Sequence, residues 1–275
     1  MKLFFFKGEK MKKTLFMAAL LGSGLLFSAE FFKGDTPEAF VRNSALKKTA
    51  DGLSLKGKTG RLYSRKLLTI DPAKKYRMSL EVRVPGAPVQ RIYAGYAPLT
   101  GKNRNIHPSS INARSKTDTV LAADAQKGDT VIKVKDAKFW LAKHPYANVA
   151  FNTKAKYADL PNNDLAGIKN TVAVKKAGDV WEITLDKPLK KAYAAGTGVR
   201  QHFSGGTYIY NIYSAKLNGA QWQTLSADIS GCTLSSRSDK KFWPGTEKVQ
   251  IILITNASAA DSVLEIRNFK VEVVE

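Results

Sequence analysis

The sequence predicts an all-β protein built as a sandwich, and three observations lead there. Tyr76, Met78, Leu80, Val82 and Val84 alternate with Arg77, Ser79, Glu81 and Arg83, the period of two that half-buries a strand. Helical spacing of apolar residues is nearly missing beyond residue 29. Short apolar runs are punctuated by Asp71-Pro72, Pro85-Gly86 and Ala177-Gly178-Asp179, which are turn signals.

The elements follow in chain order. Lys10, Lys12 and Lys13 precede the apolar run Thr14 to Phe27, which closes on Ser28-Ala29. A charged start, a short apolar stretch and small residues at its end predict a signal peptide over residues 1–29. The run of 14 residues is shorter than the roughly 20 a membrane span needs. Met11 is an alternative start to Met1, since Met1 to Lys10 adds little, and no cysteine follows the run to carry a lipid. Cleavage after Ala29 leaves 246 residues, enough for a sizeable core. The expected location is secreted, cell-surface or periplasmic, with no stable membrane insertion after cleavage.

Residues 36–115 offer strands near Gly52–Lys56, Arg61–Ile70, Lys75–Val84 and Gln90–Ala97. Residues 204–275 offer strands near Thr207–Tyr213, Trp222–Ile229, Lys248–Thr255 and Val263–Val274. From Val249 to Ile254 both parities are apolar, which predicts a strand covered on both faces. Leu264 and Ile266 share one parity whereas Phe269, Val271 and Val273 share the other, so a β-bulge is expected at Arg267-Asn268. Residues 116–203 have a different texture. One hairpin is expected around Ala125–Asp129, between Thr119–Ala122 and Thr130–Val134. A second is expected around Ala177-Gly178-Asp179, between Val172–Lys175 and Val180–Leu185. This segment is read as a small β-barrel-like module inserted into a loop of a discontinuous sandwich, 36–115 with 204–275. The alternative is a single continuous β fold.

Several phrases carry a resemblance. Asp51-Gly52-Leu53-Ser54-Leu55 is followed by Leu67-Leu68-Thr69-Ile70-Asp71-Pro72 and Tyr76-Arg77-Met78-Ser79-Leu80-Glu81-Val82. Later come Gln221-Trp222-Gln223-Thr224-Leu225 and Leu264-Glu265-Ile266-Arg267-Asn268-Phe269-Lys270-Val271. In this order they resemble carbohydrate-binding modules of the galactose-binding-like jelly-roll type. The resemblance implies a jelly roll and leans towards glycan binding, with no ligand motif to transfer. Thr119–Ala125, Gly128–Val134 and Trp181–Leu185 resemble a small β module of secreted bacterial and phage tail proteins.

The formal net charge is +21, or +17 once residues 1–29 are removed. Such a charge attracts polyanions: acidic polysaccharide, lipid headgroups or nucleic acid. Export disfavours nucleic acid as a partner. The single Cys232 forms no internal disulfide and no cysteine-based zinc site, and its context, Ile229 to Leu234, predicts a small buried hydrophobe.

Residues 60–115 hold 11 Lys or Arg against two acids, Asp71 and Glu81. Within them Arg91, Tyr93, Tyr96, Lys102 and Arg104 combine charge with rings, and His107 follows. Arginine grips a carboxylate or sulfate with two parallel N–H bonds, and an aromatic face stacks on the C–H face of a sugar. The alternative is a solvated basic face that aids solubility. A second group, Arg200, His202, Tyr208 and Tyr210, surrounds Gly205-Gly206 at the expected seam, a usual place for a cleft. Its alternative is a structural hinge with tyrosines in the core. Trp140 and Trp243 stand beside loops as platform candidates, whereas Trp181 and Trp222 are expected in the core.

No catalytic residue is assigned. His107, His144 and His202 are scattered and lack metal spacing. No cofactor is expected, although Asp35, Glu38 and Asp261 are carboxylates of the kind that hold a structural calcium. The expectation is a non-catalytic binder of polysaccharide, of anionic type. One alternative is a structural or adhesive surface module that contacts an envelope protein. Another is a polysaccharide lyase using Arg200, His202, Tyr208 and Tyr210. The oligomeric state is not legible in the sequence.

Overall fold

Alternation becomes burial along the strand that displays it most clearly. Tyr76, Met78, Leu80, Val82 and Val84 are at most 3% exposed, whereas their neighbours are half-buried or exposed. The computed structural model describes residues 29–274 apart from 42–43, 58, 87–89, 167–170, 218, 234–239 and 258–260. Except for Ala29, the expected signal peptide lies outside the described residues.

The strands before the middle segment are β1 (Ala29–Lys33), β2 (Phe40–Val41), β3 (Leu46–Thr49), β4 (Gly52–Lys56), β5 (Thr59–Ser64), β6 (Leu68–Thr69), β7 (Lys75–Val84) and β8 (Gln90–Leu99). A one-turn helix, α1 (Pro108–Ile111), follows. Then come β9 (Thr119–Val120), β10 (Val131–Val134), β11 (Ala147–Phe151), β12 (Leu165–Ala166), β13 (Thr171–Ala177), β14 (Val180–Leu185) and β15 (Gly198–Phe203). The chain ends with β16 (Ile209–Leu217), β17 (Gly219–Ser230), β18 (Lys248–Ala257) and β19 (Val263–Val273).

The fold is all-β. One antiparallel sheet, here the first sheet, has the order β17-β7-β19-β4-β3, with β1 also paired to β19. The second sheet has the order β16-β8-β18-β5-β2, with β6 also paired to β18. Leu53, Met78, Leu80, Leu264 and Ile266 of the first sheet share one apolar cluster with Leu62, Ile92, Ala94, Ile251 and Leu253 of the second. Two sheets closing on one core make a sandwich. In each sheet a strand from the end of the chain lies between strands from its beginning: β19 between β7 and β4, β18 between β8 and β5.

The segment between them forms two smaller sheets, β10-β14-β13 and β12-β11-β15-β9. Their cluster, including Leu121, Ile132, Val134, Val149, Phe151, Ile183, Leu185 and Val199, draws only on residues 121–199. The outgoing and returning chains run side by side. Arg114 N donates to Gln201 O at 2.8 Å, and Phe203 N donates to Asn112 O at 2.9 Å.

Several expectations change in detail. The strand expected at Arg61–Ile70 divides into β5 and β6, because the buried Ser64 hydroxyl donates to Lys66 O at 2.7 Å and turns the chain. The first expected hairpin largely opens, since β9 pairs with β15 and β10 with β14, leaving a single bridge between Leu121 and Val134. The second forms as β13 and β14, turning at Gly178, whose φ of 63° suits glycine. The register slips between Arg267 and Lys270, and Asn268 takes φ 51°, so the bulge lies where the parity changes. Cys232 is exposed, contrary to expectation, because Thr233 beside it takes the buried place. Trp222 also leaves the core. It lies on the outer face of the first sheet, with Arg83 and Arg267 guanidinium carbons 4.5 Å and 4.2 Å from its ring.

Candidate functional site

The outer face of the second sheet gathers tyrosines. Leu62, Ile92, Ala94, Ile212 and Leu253 point into the core, so Arg61, Tyr63, Tyr93, Gly95, Tyr210, Ile252 and Ile254 face away from it. Two rows cross the sheet. In one, Ile252 lies opposite Tyr63 and Gly95, and Gly95 opposite Tyr210. In the next, Ile254 lies opposite Arg61 and Tyr93, and Tyr93 opposite Tyr213. Between these larger side chains Ile252 is 0% exposed and Ile254 8%. Strand β18 is thus covered on both faces, as its apolar run predicts.

The rings touch in sequence. Tyr93 is 4.9 Å from Tyr210 and 5.0 Å from Tyr213, centroid to centroid. Tyr208 is 6.3 Å from Tyr210 and 6.5 Å from Tyr63, and the Tyr63 hydroxyl donates to the Tyr208 hydroxyl at 3.3 Å. Tyr210 and Tyr213 remain 37% and 58% exposed, so their rings are open to a ligand. The Arg61 guanidinium carbon lies 5.9 Å from the Tyr208 ring. Gly95 makes this spacing possible. A Cβ there would meet the Ile209 carbonyl oxygen at 1.8 Å, so only glycine lets β16 approach this closely. The register slips by one residue between Tyr210 and Ile212, which sets both Tyr210 and Tyr213 outward.

Charge separates the two outer faces. On the first sheet, Arg77 pairs with Asp228, Arg83 with Asp51 and Glu265, and Arg267 with Glu81. Hydrogen bonding to Arg77 leads in pulling the Asp228 carboxyl down to about 2. Part of the excess charge in residues 60–115 is therefore balanced by acids distant in sequence. The outward positions of β5, β8 and β18 include Arg61, Tyr63, Arg91, Tyr93, Gln250, Ile252, Ile254 and Asn256, without a carboxylate. Arg61 makes no ion pair among the described residues.

The structure brings together Arg91, Tyr93, Tyr208 and Tyr210 of the expected site and sets the others apart. Tyr96 is 1% exposed, packs its ring tilted against Phe242 at 5.4 Å and donates its hydroxyl to Lys241 O at 3.0 Å. It faces inward because it differs in parity from Tyr93. Trp243 is 4% exposed within the sandwich core, and Trp140 is 6% exposed with its indole N–H on Thr117 O at 2.9 Å. Both plug their cores instead of forming platforms. Lys102 and Arg104 are exposed in the turn after β8.

Arg200 and His202 lie at the seam, but the seam is packed shut. Both are 0% exposed. Arg200 donates to Asp159 at 2.7 Å, Asp118 at 3.0 Å and His202 Nε2 at 3.0 Å, and its guanidinium carbon lies 4.7 Å from the Tyr157 ring. Since arginine only donates, His202 Nε2 is the acceptor and Nδ1 carries the proton, donated to Ser109 O at 2.8 Å. Burial first, with the Arg200 charge adding to it, lowers the His202 pKa to about 4. Burial pushes Asp159 up, yet hydrogen bonds from Asn162 and Lys154 N–H, with the Arg200 charge, hold its carboxyl below the ordinary value. The seam is closed from the middle segment by Leu160, packed on the sandwich core, and by Asn162 N donating to Ser110 O at 2.8 Å.

Three members of the tyrosine face were not singled out in the sequence: Arg61, Tyr63 and Tyr213. Arg61 and Tyr63 share a parity within an expected strand, and that was the available cue. Tyr213 is out of phase with Tyr210, and only the bulge returns it to the same face. Among the described residues no three His, Cys, Asp or Glu side chains converge to hold a metal ion. No protein-family model matches the chain, and neither a curated protein nor a solved structure matches it.

Proposed function

We propose that the chain is an exported carbohydrate-binding protein, of galactose-binding-like jelly-roll type, that holds an anionic polysaccharide on the tyrosine face without cleaving it. One observation carries this reading. Tyr63, Tyr93, Tyr208, Tyr210 and Tyr213 share a sheet face with Arg61 and Arg91, where the outward positions of three strands bring no carboxylate. Open rings suit the C–H faces of sugars, and the Arg61 guanidinium, which makes no ion pair among the described residues, suits their carboxylates or sulfates. The closed seam supports binding over cleavage. A lyase would need Arg200 and His202 beside the tyrosines, whereas both are buried in contacts of their own.

Gel retardation in polygalacturonate and in an uncharged glucan tests the reading. Retardation by polygalacturonate is expected, weakening as salt rises. Tyr93→Ala with Tyr213→Ala is expected to weaken it at least about tenfold, the size of one or two lost stacking contacts. Arg61→Gln is expected to reduce the response to salt more than the response to glucan. Unretarded migration in both polymers at low salt, or full retardation of the double tyrosine variant, would overturn the assignment.

A further inference from the structure

A second surface of rings and cations lies on the middle segment and its junction, apart from the tyrosine face. Phe139 and Tyr146 are 44% and 56% exposed. The ammonium nitrogens of Lys116 and Lys138 each stand 5.6 Å from the Phe139 ring centroid. Arg114 joins this group to the next: its Nε donates to Phe139 O at 2.9 Å, and its guanidinium carbon lies 5.7 Å from the Phe203 ring. Phe203 is 4.6 Å from His144, and His144 is 6.1 Å from Tyr146. The contacts are continuous from the lysines to Tyr146. Arg114, Lys116 and Lys138 make no ion pair among the described residues. Asp136 lies beside them in the chain and accepts the Lys138 backbone N–H at 2.9 Å.

We infer that this surface is a second contact for an anionic polysaccharide, so that one polymer is held at two places on one chain. The chemistry favours a glycan over a bilayer. Among the described residues Phe139 is the one wholly apolar ring strongly exposed, far less than the apolar face by which a protein lies in a membrane interface. An open ring flanked by two lysines, with a second open ring at the far end of the same run of contacts, matches a chain that alternates C–H faces with carboxylates. The two-point character rests on the glycan reading of the tyrosine face, although the second surface has its own residues. Joined contacts make the second binding event intramolecular, which raises affinity about 10²–10⁴-fold for a ligand able to span both.

Titration of the full chain with long polygalacturonate and with trigalacturonate tests this. Phe139→Ser with Tyr146→Ser keeps every cation, and Lys116→Gln with Lys138→Gln keeps both rings. Either pair is expected to lower polymer affinity at least about tenfold and to reduce trigalacturonate bound from two per chain to one. All four positions are exposed, so the unfolding midpoint should not move. Native polymer affinity in both pairs, or an unchanged count of bound trimer, overturns the inference. So does loss confined to phosphatidylglycerol vesicles, which would assign the surface to lipid. If instead only the tyrosine-face variant binds as the native chain does, the glycan reading of that face falls while this contact stands alone.

Discussion

His202 shows how a residue chosen for its chemistry is diverted to structure. Its ring is fixed at both nitrogens, accepting from Arg200 and donating to Ser109. Its folded pKa of about 4 lies below the unfolded value of 6.5. Between these values the unfolded chain binds the extra proton. The neutral ring's contribution is therefore complete above pH 6.5 and is lost as the pH falls to about 4. Over that window it amounts to roughly 3 kcal/mol, at about 1.4 kcal/mol per pH unit. Urea unfolding between pH 4 and 7 is expected to show the fall, and His202→Gln to flatten it. Parallel profiles for the two proteins would mean that the ring titrates alike in both states. The tyrosines are the counterpart: Tyr96 and Tyr93 are three residues apart, and parity alone sends one to the core and the other to the surface.

At the scale of elements, the tyrosine face depends on how β16 sits against β8. The one-residue slip after Tyr210 re-phases the strand, and Gly95 makes room for the displaced Ile209 carbonyl. Gly95→Ala is expected to destabilise the protein by about 1–3 kcal/mol, the usual cost of overpacking, and to weaken the proposed glycan binding with every tyrosine in place. A variant with native stability and native binding in urea titration and gel retardation would show that the close approach is dispensable. The bulge at Asn268 also re-phases its strand. Asn268 tolerates φ 51° and its side-chain N–H donates to Glu81 at 2.7 Å, which joins the two phases of β19.

At the scale of the molecule, two apolar clusters divide the residues. One draws on residues 32–111 and 209–271, the other on 121–199. Their connecting chains are hydrogen-bonded to each other at Asn112 and Phe203, so a short bridge suffices to close the gap. Replacing residues 115–202 by a brief glycine-serine turn is expected to leave the two larger sheets folded, with a cooperative urea transition and a working tyrosine face. Loss of cooperative unfolding would show that the middle segment and the closed seam are integral to the sandwich. The same variant is expected to bind long polygalacturonate more weakly than the full chain, since it lacks the second surface.

Strand positions were legible because burial on a pleated sheet imposes a period of two, which a sequence records directly. Lys75–Val84, the doubly covered run after Val249 and the bulge at Arg267-Asn268 all follow from that period. Pairing was less legible. The expected hairpin at Thr119–Val134 gave way to partners more distant in sequence, β14 and β15, which offer a shared core. The site was legible only in part. Sequence alone determined that rings and cations are abundant and that strands carry them. Tertiary structure decided which arginines meet acids, which tyrosines share a face and whether the seam is open. Those outcomes depend on contacts such as Arg77–Asp228 and Arg200–Asp159, 151 and 41 residues apart, which no local pattern encodes.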